Sequence, residues 1–245
     1  MTLQPKPTVE IRRKEERFQT YAGWLESRHS FSFANHYDPM NTHHGLLLVH
    51  NDDLIKPTTG FRTHPHRDME IVTWVLDGEL EHKDSEGNRG IIYPGLAQRM
   101  SAGTGIWHSE MNPHGNKEVH FIQMWVPPDQ ESIKPGYEQL DINGQLNKGG
   151  LVPIASGRGH EAAISIKQKG AVLWGGRLGS GETVMVPDAP YIHVFVAKGS
   201  ARLEQASVLN VGDEARLTRA GARSLTAEHN GAEILMWESD RTLVQ

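Results

Sequence analysis

The chain of 245 residues has no cysteine, which excludes disulfides, thiolate metal ligands and thiol nucleophiles together. It has no run of about 18 apolar residues, the length needed to span a bilayer as a helix. The segment Met1 to Arg17 is polar and lacks the apolar stretch of a secretory signal. Positive charge is scarce as well. The net charge is −5 with histidines neutral, and the one basic block is Arg12-Arg13-Lys14. Non-specific nucleic-acid binding needs clustered positive charge to neutralise phosphates, so direct contact with nucleic acid is not expected. These absences fit a soluble cytoplasmic protein with no membrane partner, expected to be a monomer.

The hydrophobic share is 37%, below the usual globular value, while 25 glycines and 13 prolines indicate many turns. The length suits two modest domains or one large β-domain. Residues 1 to 17 read as a solvated arm or a first edge strand. Phe31 and Phe33 alternate with serines as in a half-buried strand, closed by the turn Asp38-Pro39. Gly45 to Asn51 reads as a core strand ended by a turn at Asp52-Asp53. Further strands are expected near residues 68–76, 79–83 and 90–93, the first two joined at Asp77-Gly78, a strong hairpin signal. Glu118 to Val126 is another strand, and the polar, turn-rich Asp129 to Gly150 reads as a connection. His29, His36, His43, His44 and His120 are assigned as surface or hydrogen-bonded histidines. The rest again reads as short strands, which suggests a sandwich or barrel.

The chemistry gathers between Gly60 and Asn112. His64 and His66 lie two residues apart, as do His108 and Glu110. On a strand, residues i and i+2 point to the same face. One such pair among 14 histidines would carry little weight. Two pairs, each flanked by glycine and strand-like sequence, carry more. If their strands face each other in a barrel, three imidazoles and one carboxylate converge. That donor set suits iron, manganese, nickel, copper or zinc.

The second half reads as a degenerate copy of the first. Val194 to Gly199 echoes Val72 to Gly78, and Val211-Gly212-Asp213 with Ala220-Gly221-Ala222 echoes Pro94-Gly95 with Ala102-Gly103. Aligned on those glycines, His64 and His66 correspond to Met185 and Pro187, His108 to Thr226, and Glu110 to Glu228. One carboxylate without imidazoles is a poor transition-metal site. The second half is therefore expected to serve as scaffold without metal.

The glycine, H-x-H, Glu70 and Gly78 pattern resembles the first cupin motif, and Gly103-x-Gly105-x-x-His108-x-x-x-Asn112 the second. The wording is similar to the pirin family of bicupins. Gly23-Trp24-Leu25, His29-x-Phe31-Ser32-Phe33, His64 to Glu70, Met100 to Ile106 with His108-Ser109-Glu110, and Tyr137-Glu138-Gln139 carry that likeness. It covers about residues 18 to 140 tightly and the remainder loosely.

The resemblance implies an all-β fold of two tandem cupin (jelly-roll) β-barrels packed face to face. The expected domains are residues 18–135, which hold the metal, and 150–240, which do not. The implied metal ligands are His64, His66, His108 and Glu110, around one divalent ion, Fe(II) first, with Mn, Ni, Cu, Co or Zn as alternatives. Bacterial pirins of this kind are associated with quercetin 2,3-dioxygenase activity, whereas nuclear pirins act as iron-dependent partners of transcription factors. The first implies a flavonol or other aromatic enol and O2 as substrates, with ring opening and release of CO. In that reaction Glu110 could take the 3-hydroxyl proton as general base. The second implies a metal-sensing binding protein with a protein partner. Spacing alone leaves a sugar isomerase or a hydrolytic lyase open. Asp68 and Glu70 are read as supporting or structural groups before catalytic ones.

Overall fold

The computed structural model describes residues 6–161 and 164–243. Strands dominate, and the one α-helix among the described residues is the single turn Asn143–Leu146. The N-terminal half forms two antiparallel sheets. The larger has the order Gly136–Asp141, Leu96–Ser101, Glu70–Asp77, Val119–Val126, Val49–Ile55, Leu25–His29 and Phe18–Tyr21. The smaller has the order Gly60–His66, Ile106–Met111, Leu80–Asp84 and Arg89–Ile92. The hairpin at Gly78 is present, with glycine at φ +79°. A Cβ there would lie 2.5 Å from the Glu118 carbonyl oxygen, so the turn needs glycine for space as well as conformation.

The strand Glu70–Asp77 shows how the halves are joined. It is buried on both faces along all but its last residue. Ile71 and Val75 belong to two small apolar clusters inside the first half. Val72, Trp74 and Leu76 belong instead to a cluster shared with Leu173, Phe195, Leu235 and Trp237 of the second half. Alternation on one strand therefore builds the inside of one half and the seam between the two. Trp74 Nε1 crosses that seam to donate to Glu233 Oε1 at 2.8 Å.

The second half is a nine-stranded sheet built on two long strands, Tyr191–Leu203 and Arg223–Ser239. Its inner cluster includes Val194, Leu209, Leu217, Leu225, Ile234 and Met236. The strand Thr8–Arg12 pairs with Glu214–Thr218 in this sheet. The N-terminal segment is thus an edge strand, but of the opposite half of the chain.

Several local expectations are corrected. The core strand runs over Val49–Ile55, not Gly45 to Asn51, and Asp52-Asp53 lies inside it. The acidic pair suggested a turn, yet each carboxylate has its own environment. Asp52 pairs with Arg17 at 3.1 Å and His120 at 2.6 Å, while Asp53 is buried. Phe31 is fully buried, but in the segment after the strand Leu25–His29. The residues read as a connection contain the strand Gly136–Asp141, whose register opposes Leu96–Ser101. The glycine-based alignment of the halves is one residue out of phase. Met185 is 57% exposed, whereas Val184 and Val186 are buried beside it. Opposite them, Leu225 and Ala227 are buried and Thr226 and Glu228 are not. A one-residue shift exchanges the faces of a strand. The inward positions here are therefore four apolar side chains.

Candidate metal centre

The strands Gly60–His66 and Ile106–Met111 are antiparallel neighbours, with His64 opposite His108 and His66 opposite Ile106. This places three imidazoles together. Their ring centroids are separated by 4.8 Å for His64 and His66, 4.5 Å for His64 and His108, and 4.9 Å for His66 and His108. One nitrogen from each ring lies within 4.8 Å of the others. Glu110 follows a register shift after His108 and is buried on the same face. It gathers at the same spacing with His108 and with His82, a residue that the motif reading passes over.

The ring nitrogens suit a cation. His64 Nδ1 lies 2.7 Å from the Arg62 carbonyl oxygen, and since a carbonyl only accepts, this nitrogen carries the hydrogen. His64 Nε2 is left with a lone pair. Nε2 of both His66 and His108 is buried without any hydrogen-bond partner among the described residues. Buried polar atoms are rarely left so, and two of them on neighbouring rings call for a ligand. Burial, reinforced by the neighbouring imidazoles, lowers His66 to about 4 and His108 to about 3. Both are neutral donors at physiological pH, as metal binding requires. The three imidazoles therefore fit a divalent metal, with the Glu110 carboxylate gathered beside His108.

Glu110 is held from behind. Its Oε1 accepts from Thr73 Oγ1 at 3.3 Å and its Oε2 from Gln123 Nε2 at 2.6 Å. Trp125 Nε1 donates to Gln123 Oε1 at 3.2 Å, which turns the amide so that Nε2 faces the carboxylate. The Trp125 ring also stands edge-on to His66, with centroids 4.8 Å apart. Asp53 is fully buried in the strand Val49–Ile55. Burial first, opposed by a Ser27 hydrogen bond and aided by the charges of Asp52 and Glu110, raises its carboxyl to about 7.

These supporting residues were not singled out in the sequence, although a signal existed. Thr73 and Gln123 are polar residues at inward positions of otherwise apolar strands. His82 and Asp84 form an H-x-D pair with the same i, i+2 geometry that marked the metal-capable pairs. By contrast, Glu70 points away from the centre. Its Oε2 accepts from Ser101 Oγ at 2.9 Å and from the Lys167 backbone N–H at 3.0 Å, so it ties the halves together. Asp68 anchors its loop by accepting from the Ser132 N–H at 2.5 Å. His29, buried, bonds to Thr20 and Asn51, and His44 bonds to the Leu217 carbonyl.

A cleft of about 490 Å³ opens beside His64, lined by Trp24, Phe61, Arg62 and Met111 among others. It lies where the edge strand of the smaller sheet meets the Trp24 hairpin at the edge of the larger one. Trp24 and Phe61 pack edge to face, 5.2 Å between centroids. A cavity of similar size, about 520 Å³, lies away from the histidine cluster and is lined by Glu138, His160, Lys167 and neighbouring residues.

Comparison with known proteins places this geometry in a family. The family model described as Pirin matches residues 11–126. A Mycobacterium tuberculosis protein named "Putative quercetin 2,3-dioxygenase" is 58% identical over 232 residues, 94% of this chain and 95% of the relative. An Escherichia coli protein named "Quercetin 2,3-dioxygenase" is 50% identical over 140 residues, covering 57% of this chain and 61% of the relative. The crystal structure of the bacterial pirin YhhW from E. coli in complex with nickel(II) superposes with a TM-score of 0.88 at 34% identity. That superposition covers 96% of this chain and 100% of YhhW. On these grounds the chain belongs to the pirin family, with the cupin fold.

Proposed function

We propose that the protein is a metal-dependent dioxygenase that opens the heterocycle of a flavonol such as quercetin, releasing CO. In this reading His64, His66, His108 and Glu110 hold one divalent metal, with Fe(II) as the first candidate. The observation that carries it is the pair of buried, partnerless Nε2 atoms of His66 and His108 beside a buried carboxylate. When bound, such a metal supplies Lewis acidity toward an oxygen donor and a centre able to take part in dioxygen chemistry.

The chain's own groups account for the rest. The cleft beside His64 offers Trp24, Phe61 and Met111 as apolar and aromatic walls for a flat ring system. Arg62 lies in the same wall and can donate to an oxygen substituent of the substrate. Glu110 is the acceptor for the substrate's 3-hydroxyl proton. Gln123 and Thr73 fix its carboxylate while leaving lone pairs free on both oxygens.

The test is oxygen uptake and CO release with quercetin, using protein loaded in turn with iron and nickel and a chelated control. Metal-dependent turnover with paired O2 consumption and CO release is the expected result. His64→Ala and His108→Ala should lose most bound metal, each removing one of three imidazoles. Stoichiometric metal in both variants would overturn the ligand set. Metal binding without turnover would turn the reading toward a metal-sensing binding protein.

A further inference from the structure

His82 has no part in the ligand set proposed above, yet it is fully buried directly opposite Glu110 in the smaller sheet. Its two ring nitrogens face different partners. Nε2 lies 3.2 Å from Asp84 Oδ2, and Nδ1 lies 3.5 Å from His108 Nδ1. The Tyr137 ring packs on His82 with centroids 4.8 Å apart, which restricts reorientation of the imidazole.

Asp84 is set up as a fixed acceptor. Its side chain is fully buried and receives the backbone N–H groups of Glu86 and Asn88 at 3.0 and 2.9 Å. The Asn88 side-chain amide adds a further donor at 2.9 Å to Oδ2. Burial opposes ionisation, but the hydrogen bonds from Asn88 and His82 outweigh it and hold the carboxyl below its ordinary value. Asp84 is therefore a carboxylate, which can only accept.

The hydrogens then follow in order. Facing a carboxylate, His82 Nε2 must carry a proton. In a neutral imidazole the other nitrogen is then an acceptor, so His82 Nδ1 presents a lone pair to His108. His108 Nδ1 must carry the hydrogen between them. That leaves His108 Nε2 with its lone pair, and this is the buried nitrogen without a protein partner. At 3.5 Å the second link is long, so its role is to select a tautomer more than to add binding energy.

We propose that Asp84 and His82 form a relay that fixes the tautomer of His108 and so prepares its Nε2 to bind the metal. Both are positioning residues, and the inference rests on the metal reading of the centre given above. A carboxylate behind a metal-bound histidine usually sits in direct contact with it. Here a second histidine is interposed. His82 is also close enough to His108 and Glu110 to be a ligand itself, and the test separates the two roles.

The experiment compares His82→Gln and His82→Phe with the parent, by nickel(II) titration of the metal-free proteins. Glutamine offers an amide oxygen to His108 Nδ1 but is a weak ligand. Phenylalanine keeps the flat ring against Tyr137 and offers no acceptor. His82→Phe is expected to bind nickel roughly 10–100-fold more weakly, while His82→Gln stays within about 3-fold of the parent. Selective ¹⁵N-histidine NMR of the metal-free proteins gives a second readout that loose packing would not mimic. His108 should be protonated at Nδ1 in the parent and in His82→Gln, and should become a mixture of tautomers in His82→Phe. Parent-like nickel affinity in His82→Phe would overturn the relay, and an equal loss in both variants would make His82 a ligand instead. A parent that fails to bind nickel would overturn the metal reading of the centre and the relay with it.

Discussion

Gln123 donates from Nε2 to Glu110 Oε2 at 2.6 Å, and both residues are buried. The amide is in turn oriented by Trp125 Nε1. Replacing Gln123 with leucine keeps the approximate volume but removes the donor to Glu110 and the acceptor for Trp125. A buried polar group left without its partner costs about 1–3 kcal/mol. Gln123→Leu should therefore lower the stability of the metal-free protein by about that amount, measured by urea denaturation. An unchanged midpoint would mean that the Glu110 carboxylate does not depend on this donor.

The sequence showed the front of this centre but not its back. His64, His66, His108 and Glu110 were legible because two i, i+2 pairs of metal-capable residues are uncommon and strand periodicity says how they converge. Gln123 and Thr73 were not, because one polar residue in an apolar strand looks the same whether it meets solvent or a buried carboxylate, and His82 is hidden in the mostly polar strand Leu80–Asp84. Strand pairing decides that, and pairing is long-range. The alternation of Glu70–Asp77 was likewise ambiguous. A strand buried on both faces reads as a continuous apolar run, which does not say which face meets the second half. Asp52-Asp53 misled for the opposite reason, since its partners Arg17 and His120 are distant in the chain.

Asp53 gives a prediction with a definite pH direction. Its folded value is raised to about 7, against about 3.9 for an unfolded aspartate. A carboxyl raised on folding contributes stability that is fully present below the unfolded value and lost as pH rises through the folded one. Asp53→Asn cannot titrate. Its stability relative to the parent should therefore grow between about pH 4 and pH 7, by up to about 1.4 kcal/mol per pH unit, and level off above. Histidine titrations, common to both proteins, cancel in the difference. Urea denaturation of both metal-free proteins at pH 5 and pH 8 checks this. A difference independent of pH would show that Asp53 is an ordinary carboxylate.

Gly103 ties the loop that follows the strand Gly60–His66 to the loop that precedes the strand Ile106–Met111. It lies at φ +49°, and a Cβ there would sit 2.1 Å from the Ile133 carbonyl oxygen. Its own carbonyl accepts from the Asp68 N–H at 2.9 Å, two residues beyond His66. Left-handed backbone at a non-glycine residue alone costs on the order of 1–3 kcal/mol, and the clash with fixed backbone adds to it. Gly103→Ala should destabilise the fold by at least about 2 kcal/mol. It should also weaken metal binding, since the loop carrying Asp68 must shift. Parent-like thermal stability would show that the Ile133 segment yields without cost.

Glu110 is where holding the metal and moving a proton can be separated. Glu110→Gln removes the charge and the proton acceptor but keeps an amide oxygen. That oxygen can accept from Gln123 Nε2, as Oε2 does now, while the new NH2 group can donate to Thr73 Oγ1. Both existing contacts can thus be satisfied, and the fold should be retained. With the three imidazoles intact, bound metal should fall only modestly. Flavonol turnover should fall by roughly 10²–10⁴-fold at neutral pH, the usual cost of a lost general base. Turnover should recover as pH rises, because the substrate hydroxyl then ionises without help. Metal content per chain and oxygen consumption across pH, measured on one preparation, test this together. Parent-like turnover at neutral pH with metal bound would remove Glu110 from proton transfer and leave it as a ligand alone.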